Sequence, residues 1–538
     1  MPIAPIRDLS KYGVIADIDA YNIPAQAWSF AVNARFRNGS VLRAPVFRTV
    51  TASLGNAHPR FVTSNSATTG FDSVIIGYRD GSVSSFKSGT ETALSVTDYV
   101  PNVSDTAFTA TRLGDVLYVN RSDRVPWAMG VADTKFAVLA NWDSTWRANI
   151  LRSCSSALLA FGVTKGGVQY PTMIKTSEFA KVNTVPTTWD NTITTNNATE
   201  NILAEMDGAI TDACRLGEFM VVYGKNEAWT MVMDGSTNVW SYHKLPFTNG
   251  AINANCSVEL GNKNYVFGPT DIWVHDGVSD QSLCDKRTRE LIFNSINLSK
   301  ASSCFVVYHQ ALKEIHFNYV SGDRGVAFAG ADGCNRAAIL NVTDNTWTFD
   351  DRPFIFGAVR ANLDNVLTYA TVGATYATIG GTYLDQDDSL KKVLVMVGEA
   401  NTSYSLSTSL YAFDQQGPGS TVSYPVDLNA TKGVLLERDG IDLDEVGVDL
   451  RGYKVVNCIY PQARFEIGAA PLKFQFGSAD HFNDEVVFSD WQTYDGAALY
   501  KLDYTSAGRF LSMRCVHDDY KYFNLSGFDI DIDVLGEQ

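Results

Sequence analysis

Seven histidines, at positions 58, 243, 275, 309, 316, 481 and 517, are the first candidates for acid–base or metal chemistry, and they are widely spread. His309 and His316 lie seven apart in a region that reads as strand, so they fall on opposite faces if that strand is continuous. A lone histidine in such a place is expected to be hydrogen-bonded structure and not a ligand. Eight cysteines, at 154, 214, 256, 284, 304, 334, 458 and 515, form no Cys-x-x-Cys pair. Their scatter reads as reduced core thiols in a chain assembled in a cytosol.

Other chemical signatures are missing or incomplete. Gly162-Val163-Thr164-Lys165-Gly166-Gly167 lacks the Gly-Lys-Ser/Thr ending of a phosphate loop, and no Gly-x-Gly-x-x-Gly leads from a strand into a helix. There is no Gly-x-Ser-x-Gly elbow and no His-Glu-x-x-His. Asp439-Gly440-Ile441-Asp442-Leu443-Asp444-Glu445 superficially resembles a cation loop, but its spacing lacks the calcium-loop register. Asp529, Asp531 and Asp533 alternate with apolar residues, as on the solvated face of a strand; around a ring the same row would line a DNA passage. Asn341-Val342-Thr343-Asp344-Asn345-Thr346-Trp347-Thr348-Phe349 is similar to the Asp-box turn of sialidase-like propellers, with Asn345 where the glycine would be. A sialidase-like enzyme also needs an arginine cluster and a tyrosine nucleophile, and no residues can be assigned to them. No catalytic, cofactor-binding or metal-binding residue is therefore named, and neither enzyme activity nor a cofactor is expected.

The elements around these residues are strands. Arg112-Leu113-Gly114-Asp115, Arg215-Leu216-Gly217-Glu218 and Glu259-Leu260-Gly261-Asn262 each precede an apolar strand, and Arg152-Ser153-Cys154-Ser155 is a looser copy. Aligned on Leu113, Cys154, Leu216 and Leu260, the copies lie 41, 62 and 44 residues apart. A period in the low forties is the size of a four-stranded propeller blade. The long interval implies an insertion, placed near 163–205 and centred on the polar stretch Thr184–Thr199. Asp-Gly at 80–81, 234–235 and 276–277 marks tight hairpins. Further strands are expected at Cys304–Tyr308, Glu314–Tyr319, Ala338–Asn341 and Trp347–Phe349, with one helix near Lys286–Ile296. The period is lost near residue 386, and Gln415–Ser420 reads as a loop or linker. The expected fold is all-β: a docking segment at 1–60, a β-propeller at 61–385, and a β-sandwich-like or platform domain at 386–538.

Composition agrees. The chain has 538 residues, 45% hydrophobic, 12% aromatic and 19% charged, which suits a globular, strand-rich protein of more than one domain. The net charge is −16, yet residues 1–60 carry seven basic and three acidic side chains, and residues 431–538 carry nineteen acidic and ten basic. An acidic body does not grip nucleic acid; it either lets DNA slide past or is simply a soluble surface. The start, Met1-Pro2-Ile3-Ala4-Pro5-Ile6-Arg7-Asp8, lacks a basic-then-apolar pattern, so no secretory signal is expected. Apolar runs fall far short of the roughly 18–20 residues of a membrane span, so no membrane insertion is expected.

Gly217–Gly224 with Ala228-Trp229, Gly250-Ala251-Ile252, and Tyr265–Gly277 followed by Leu291-Ile292-Phe293 resemble the packaged-DNA-stabilisation, or tail-hub, family of short-tailed phages. The opening Gly13–Asp17, Pro24, Trp28, Asn33–Phe36 and Gly39–Val41 is similar to the start of phage propeller nozzles, and Arg509–Arg514 with Leu525–Phe528 to their closing strands. The resemblance implies a structural virion protein, a tail nozzle subunit in a homo-oligomeric ring, typically a hexamer. It implies partners at the head-to-tail adaptor or portal and at tail fibres or spikes, double-stranded DNA passing through the lumen without sequence-specific binding, and a place in the virion tail after assembly in the host cytoplasm. The basic N-terminal segment would dock an acidic adaptor surface or be an ordinary exposed arm. A glycan-binding or glycan-cleaving propeller is the second reading, and a bacterial scaffold propeller the third.

Overall fold

A computed structural model describes residues 3–51, 53–66, 72–235, 239–322, 332–363, 392–400, 408–415, 433–441, 443–444, 447–448, 452–481, 484–519 and 521–535. The described chain is all-β, built largely of four-stranded antiparallel sheets in a propeller-like arrangement. Five sheets follow one another along the chain, each a meander. Their first strands are Pro59–Asn65, Phe108–Leu113, Trp146–Cys154, Asp212–Leu216 and Ser257–Leu260.

The repeated Leu-Gly landmarks all fall at one structural position, the two-residue turn joining first and second strands. Leu113 pairs with Val116, Cys154 with Ala157, Leu216 with Phe219 and Leu260 with Lys263. Ser155–Ser156 and Gly261–Asn262 have positive φ at both central residues, as a type I′ turn demands, whereas Gly114 and Gly217 supply it at the first alone. The enlarged interval is accounted for by residues 177–198, which separate the third and fourth strands of the third sheet, Val168–Thr176 and Thr199–Ile202. The expected helix is present as Arg289–Ser295.

A continuous 13-stranded sheet follows, and its first part, the sixth sheet, comprises Phe305–His309, Glu314–Tyr319, Cys334–Asn341 and the first half of the long strand Thr346–Ala361. That strand shifts register around Pro353 and Phe354, where proline cannot donate to a ladder and Phe354 has φ 37°. Its second half begins a branch of the same 13-stranded sheet, the seventh sheet, with Val393–Gly398, Ser409–Gln415 and, from the start of the chain, Val46–Thr51.

Contacts run from each sheet to the next. Phe61 stacks on Phe108 with centroids 5.6 Å apart, Thr111 Oγ1 lies 2.9 Å from Ser153 Oγ, and Arg152 Nε donates to the Ala213 carbonyl at 2.9 Å. The Gly217 N–H donates to Glu259 at 2.7 Å, and the Val306 N–H to the Asn255 carbonyl at 2.9 Å. The second half of Thr346–Ala361 packs on Pro59–Asn65, so closely that a Cβ on Gly357 would lie 3.3 Å from the Val62 nitrogen.

The remaining strands form two facing sheets. One holds Ile3–Arg7, Ala34–Arg37, Ser40–Arg43, Phe523–Val534, Lys454–Phe465 and Leu502–Gly508; the other holds Phe30–Val32, Val434–Ile441, Phe510–His517, Leu472–Ala479, Val487–Phe488 and Gln492–Tyr494. Val456, Ile459, Phe528 and Ile530 of the first share a core with Phe474, Phe476, Leu511 and Met513 of the second. The second sheet joins the sixth through Val32, paired with Phe349.

Two groupings differ from the chain-order division at 60 and 385. Residues 3–43 are strands of the sandwich, not a separate docking segment, because they pair with Phe523–Val534 and Val434–Ile441. Val393–Gly398 and Ser409–Gln415 belong to the seventh sheet, not to the sandwich. The loop or linker at Gln415–Ser420 lies outside the described residues after Gln415.

Candidate functional site

The first strands of the sheets surround a cavity of about 400 Å³. Its polar lining includes Arg152, Arg215, Asn255, Ser153 and Ser257, and no tyrosine or carboxylate lines it among the described residues. Arg152 Nη2 donates to Asp212 at 3.0 Å and to Asn255 Oδ1 at 3.2 Å. Asn255, at φ 64° in the turn before Ser257–Leu260, donates from Nδ2 to the Phe108 carbonyl at 2.9 Å, so it bridges segments 147 residues apart. Asp212, fully buried, also accepts from Ser257 Oγ at 2.6 Å and the Cys256 N–H at 3.0 Å. These groups spend their hydrogen bonds on one another and on backbone, which cross-braces the second to fifth sheets about the cavity.

A second polar constellation lies at the joint between the sixth sheet and the sandwich. Arg35 forks onto Asp350 at 2.7 and 2.6 Å, and its Nε donates to Glu314 at 3.0 Å. Arg37 also reaches Glu314. His316 Nε2 lies 3.1 Å from Glu314 Oε2, and its Nδ1 lies 2.6 Å from Arg352 Nη2, which further donates to Asn318 through Nη1 at 2.7 Å. Arg336 pairs with Asp351 at 2.7 Å. All are buried except Arg37. Burial alone would raise the Glu314 carboxyl, but Arg35, His316 and Arg37 together hold it well below the ordinary range. Burial, reinforced by Arg352, pushes His316 far below its ordinary value and keeps the ring neutral.

The condition under which His309 and His316 would fall on opposite faces, one continuous strand, is not met. Residues 310–313 turn the chain between two strands, so the rings sit on one side, stacked with centroids 5.9 Å apart. His275 is buried, 2.8 Å from the Tyr223 hydroxyl, and His517 lies 3.1 Å from the Ala470 carbonyl. Desolvation lowers each to about 4. His58, His243 and His481 are exposed, and His58 meets Glu399. All eight cysteines are free, and seven are buried.

The acidic candidates separate in the same way. In the 341–349 motif, Asn341 Oδ1 accepts the Thr343 N–H at 3.0 Å and Asn345 takes φ 52°, so this is a hairpin turn in which asparagine does the work of glycine. Asp529 meets Arg7 and Asp533 accepts from Asn457 at 2.9 Å, while Phe528, Ile530 and Ile532 are buried beneath. Asp442 and Glu445 of the 439–445 cluster lie outside the described residues. Among the described residues no group of three or more His, Cys, Asp or Glu side chains is arranged to hold a metal ion, and no helix is long and apolar enough to cross a membrane.

The joint was not visible in the sequence, since Arg35 lies 279 residues from Glu314 and 315 from Asp350. The one available signal was charged residues inside otherwise apolar strands, as in Ala34-Arg35-Phe36 and Glu314-Ile315. The chain matches no protein-family model and no curated protein sequence.

Proposed function

We propose that this chain is a structural ring subunit, the tail nozzle of a short-tailed phage, whose seven sheets are the blades of a closed β-propeller. In this reading Val46–Thr51 is the outer strand of the last blade, so the start of the chain fastens the ring to its end. The carrying observation is that the polar groups around the central cavity brace sheet to sheet, which suits a rigid wall element. The sandwich, joined to the sixth sheet through buried ion pairs, would supply a second rigid body for contacts with neighbouring subunits, the adaptor or fibres. The DNA channel would be the hole in the homo-oligomeric ring, not the cavity inside one subunit, which is far too small for a duplex. Double-stranded DNA would pass an acidic wall without sequence readout, in a virion tail.

Negative-stain microscopy of the purified full chain tests this directly. A stable ring with an axial hole is expected. A monomer that turns over sialosides or another polysaccharide would replace this reading with the glycan-acting one.

A further inference from the structure

His316 lies where three parts of the chain meet, and both of its ring nitrogens are engaged. From its own strand, Glu314 faces Nε2; from the neighbouring first strand, His309 stacks on the ring. From Thr346–Ala361, Arg352 occupies Nδ1 and Asp350 lies 3.7 Å from Arg352. Arg35 and Arg37 approach Glu314 from the sandwich. From the seventh sheet, Phe413 meets the His316 ring edge-on at 5.5 Å, and Arg352 lies over Phe413 at 5.2 Å and Phe47 at 5.8 Å.

The geometry fixes the tautomer. Arg352 can only donate, so Nδ1 carries the lone pair and Nε2–H donates to Glu314. A second proton can enter only at Nδ1, against the guanidinium. Among the described residues the cluster already holds four arginines, at 35, 37, 336 and 352, against three carboxylates, at 314, 350 and 351, so a further positive charge at Nδ1 is opposed.

We propose that the His316–Arg352 pair is an acid-released latch that holds the seventh sheet, through Phe413 and Phe47, against the sixth. Acid works through the open form, where His316 regains solvent and an ordinary affinity for protons. The ring's proton affinity is depressed in the closed form, so the latch is at full strength above about pH 6.5 and weakens below it, roughly tenfold per pH unit. The proposal is independent of assembly into a nozzle.

Hydrogen exchange of the full chain, expressed as protection factors at about pH 7.5 and about pH 4.5, tests it. Peptides covering Val46–Thr51 and Ser409–Gln415 are expected to lose at least about tenfold more protection than Val116–Arg121, in a sheet with no histidine. Equal loss in all three segments overturns the proposal. His316→Gln is expected to abolish the difference and His309→Gln to keep it; the reverse pattern assigns the effect to His309 and overturns it. Should His316→Gln fail to fold, the wild-type comparison together with His309→Gln still decides.

Discussion

The second to fifth sheets and the closing part of the molecule use the same β chemistry in opposite ways. In the former, neighbouring strands are neighbours in sequence and two-residue turns set their register. In the latter, Val46–Thr51 pairs with Ser409–Gln415, and Ile3–Arg7 with Phe523–Val534, across most of the chain. Local hairpins cost little loop-closure entropy, whereas the closing pairings require the ends to be brought together first. Beside those pairings, the buried ion pairs of Arg35 with Glu314 and Asp350 tie the sandwich to the sixth sheet.

Removing residues 1–51 breaks this contrast most severely. The truncation deletes five strands, four from the sandwich and one from the seventh sheet, and is expected to yield insoluble protein; a soluble, cooperatively folded product would show that the chain start is a dispensable arm. Next in size is Arg35→Ala, which leaves Glu314 and Asp350 buried beside too little positive charge. It is expected to cost about 3–5 kcal/mol in denaturant unfolding. A cost below about 1 kcal/mol would mean that the joint contributes no more than an exposed pair.

Acid sharpens the comparison further. His275 and His517 are both held near 4 by burial, so the unfolded chain binds protons that the folded one excludes. Stability is therefore full above about pH 6.5 and falls as pH drops towards about 4, by about 3 kcal/mol for each histidine. Urea titrations of wild type, His275→Gln and His517→Gln across that window should show the slope reduced in each variant.

Gly217→Ala perturbs one local turn. No heavy atom lies within 4 Å of the position a Cβ would take, so only the left-handed backbone at φ 60° resists, and about 1 kcal/mol is expected from thermal unfolding. Smallest of all is Arg7→Ala, whose side chain is 45% exposed where it meets Asp529; less than about 1 kcal/mol is expected in the same assay.

The features legible in the sequence are those that short-range physics controls. Three Leu-Gly landmarks and the looser Cys154-Ser155 copy located four equivalent turns because a positive φ next to an alternating strand is a local demand, and the 62-residue interval marked the insertion for the same reason. Alternation in Phe528–Val534 agrees with the burial of Phe528, Ile530 and Ile532 and the half-buried Asp529, Asp531 and Asp533, whereas Val534 is exposed. The two strands Cys304–Tyr308 and Glu314–Tyr319 were separable in the sequence, but the stacking of His309 on His316 follows from their cross-strand register, which no local pattern encodes.

Sequence by itself thus determined that the chain is all-β, where its tight turns fall and which face of a strand is apolar, since these follow from backbone sterics and period-two burial. Only the tertiary structure decided that both ends build one sandwich, that residues 46–51 complete the seventh sheet, and that Arg35, Glu314, His316 and Arg352 form one buried cluster. Those choices rest on pairings hundreds of residues apart, where the favoured partner is set by burial and charge balance in the folded core and leaves no local pattern.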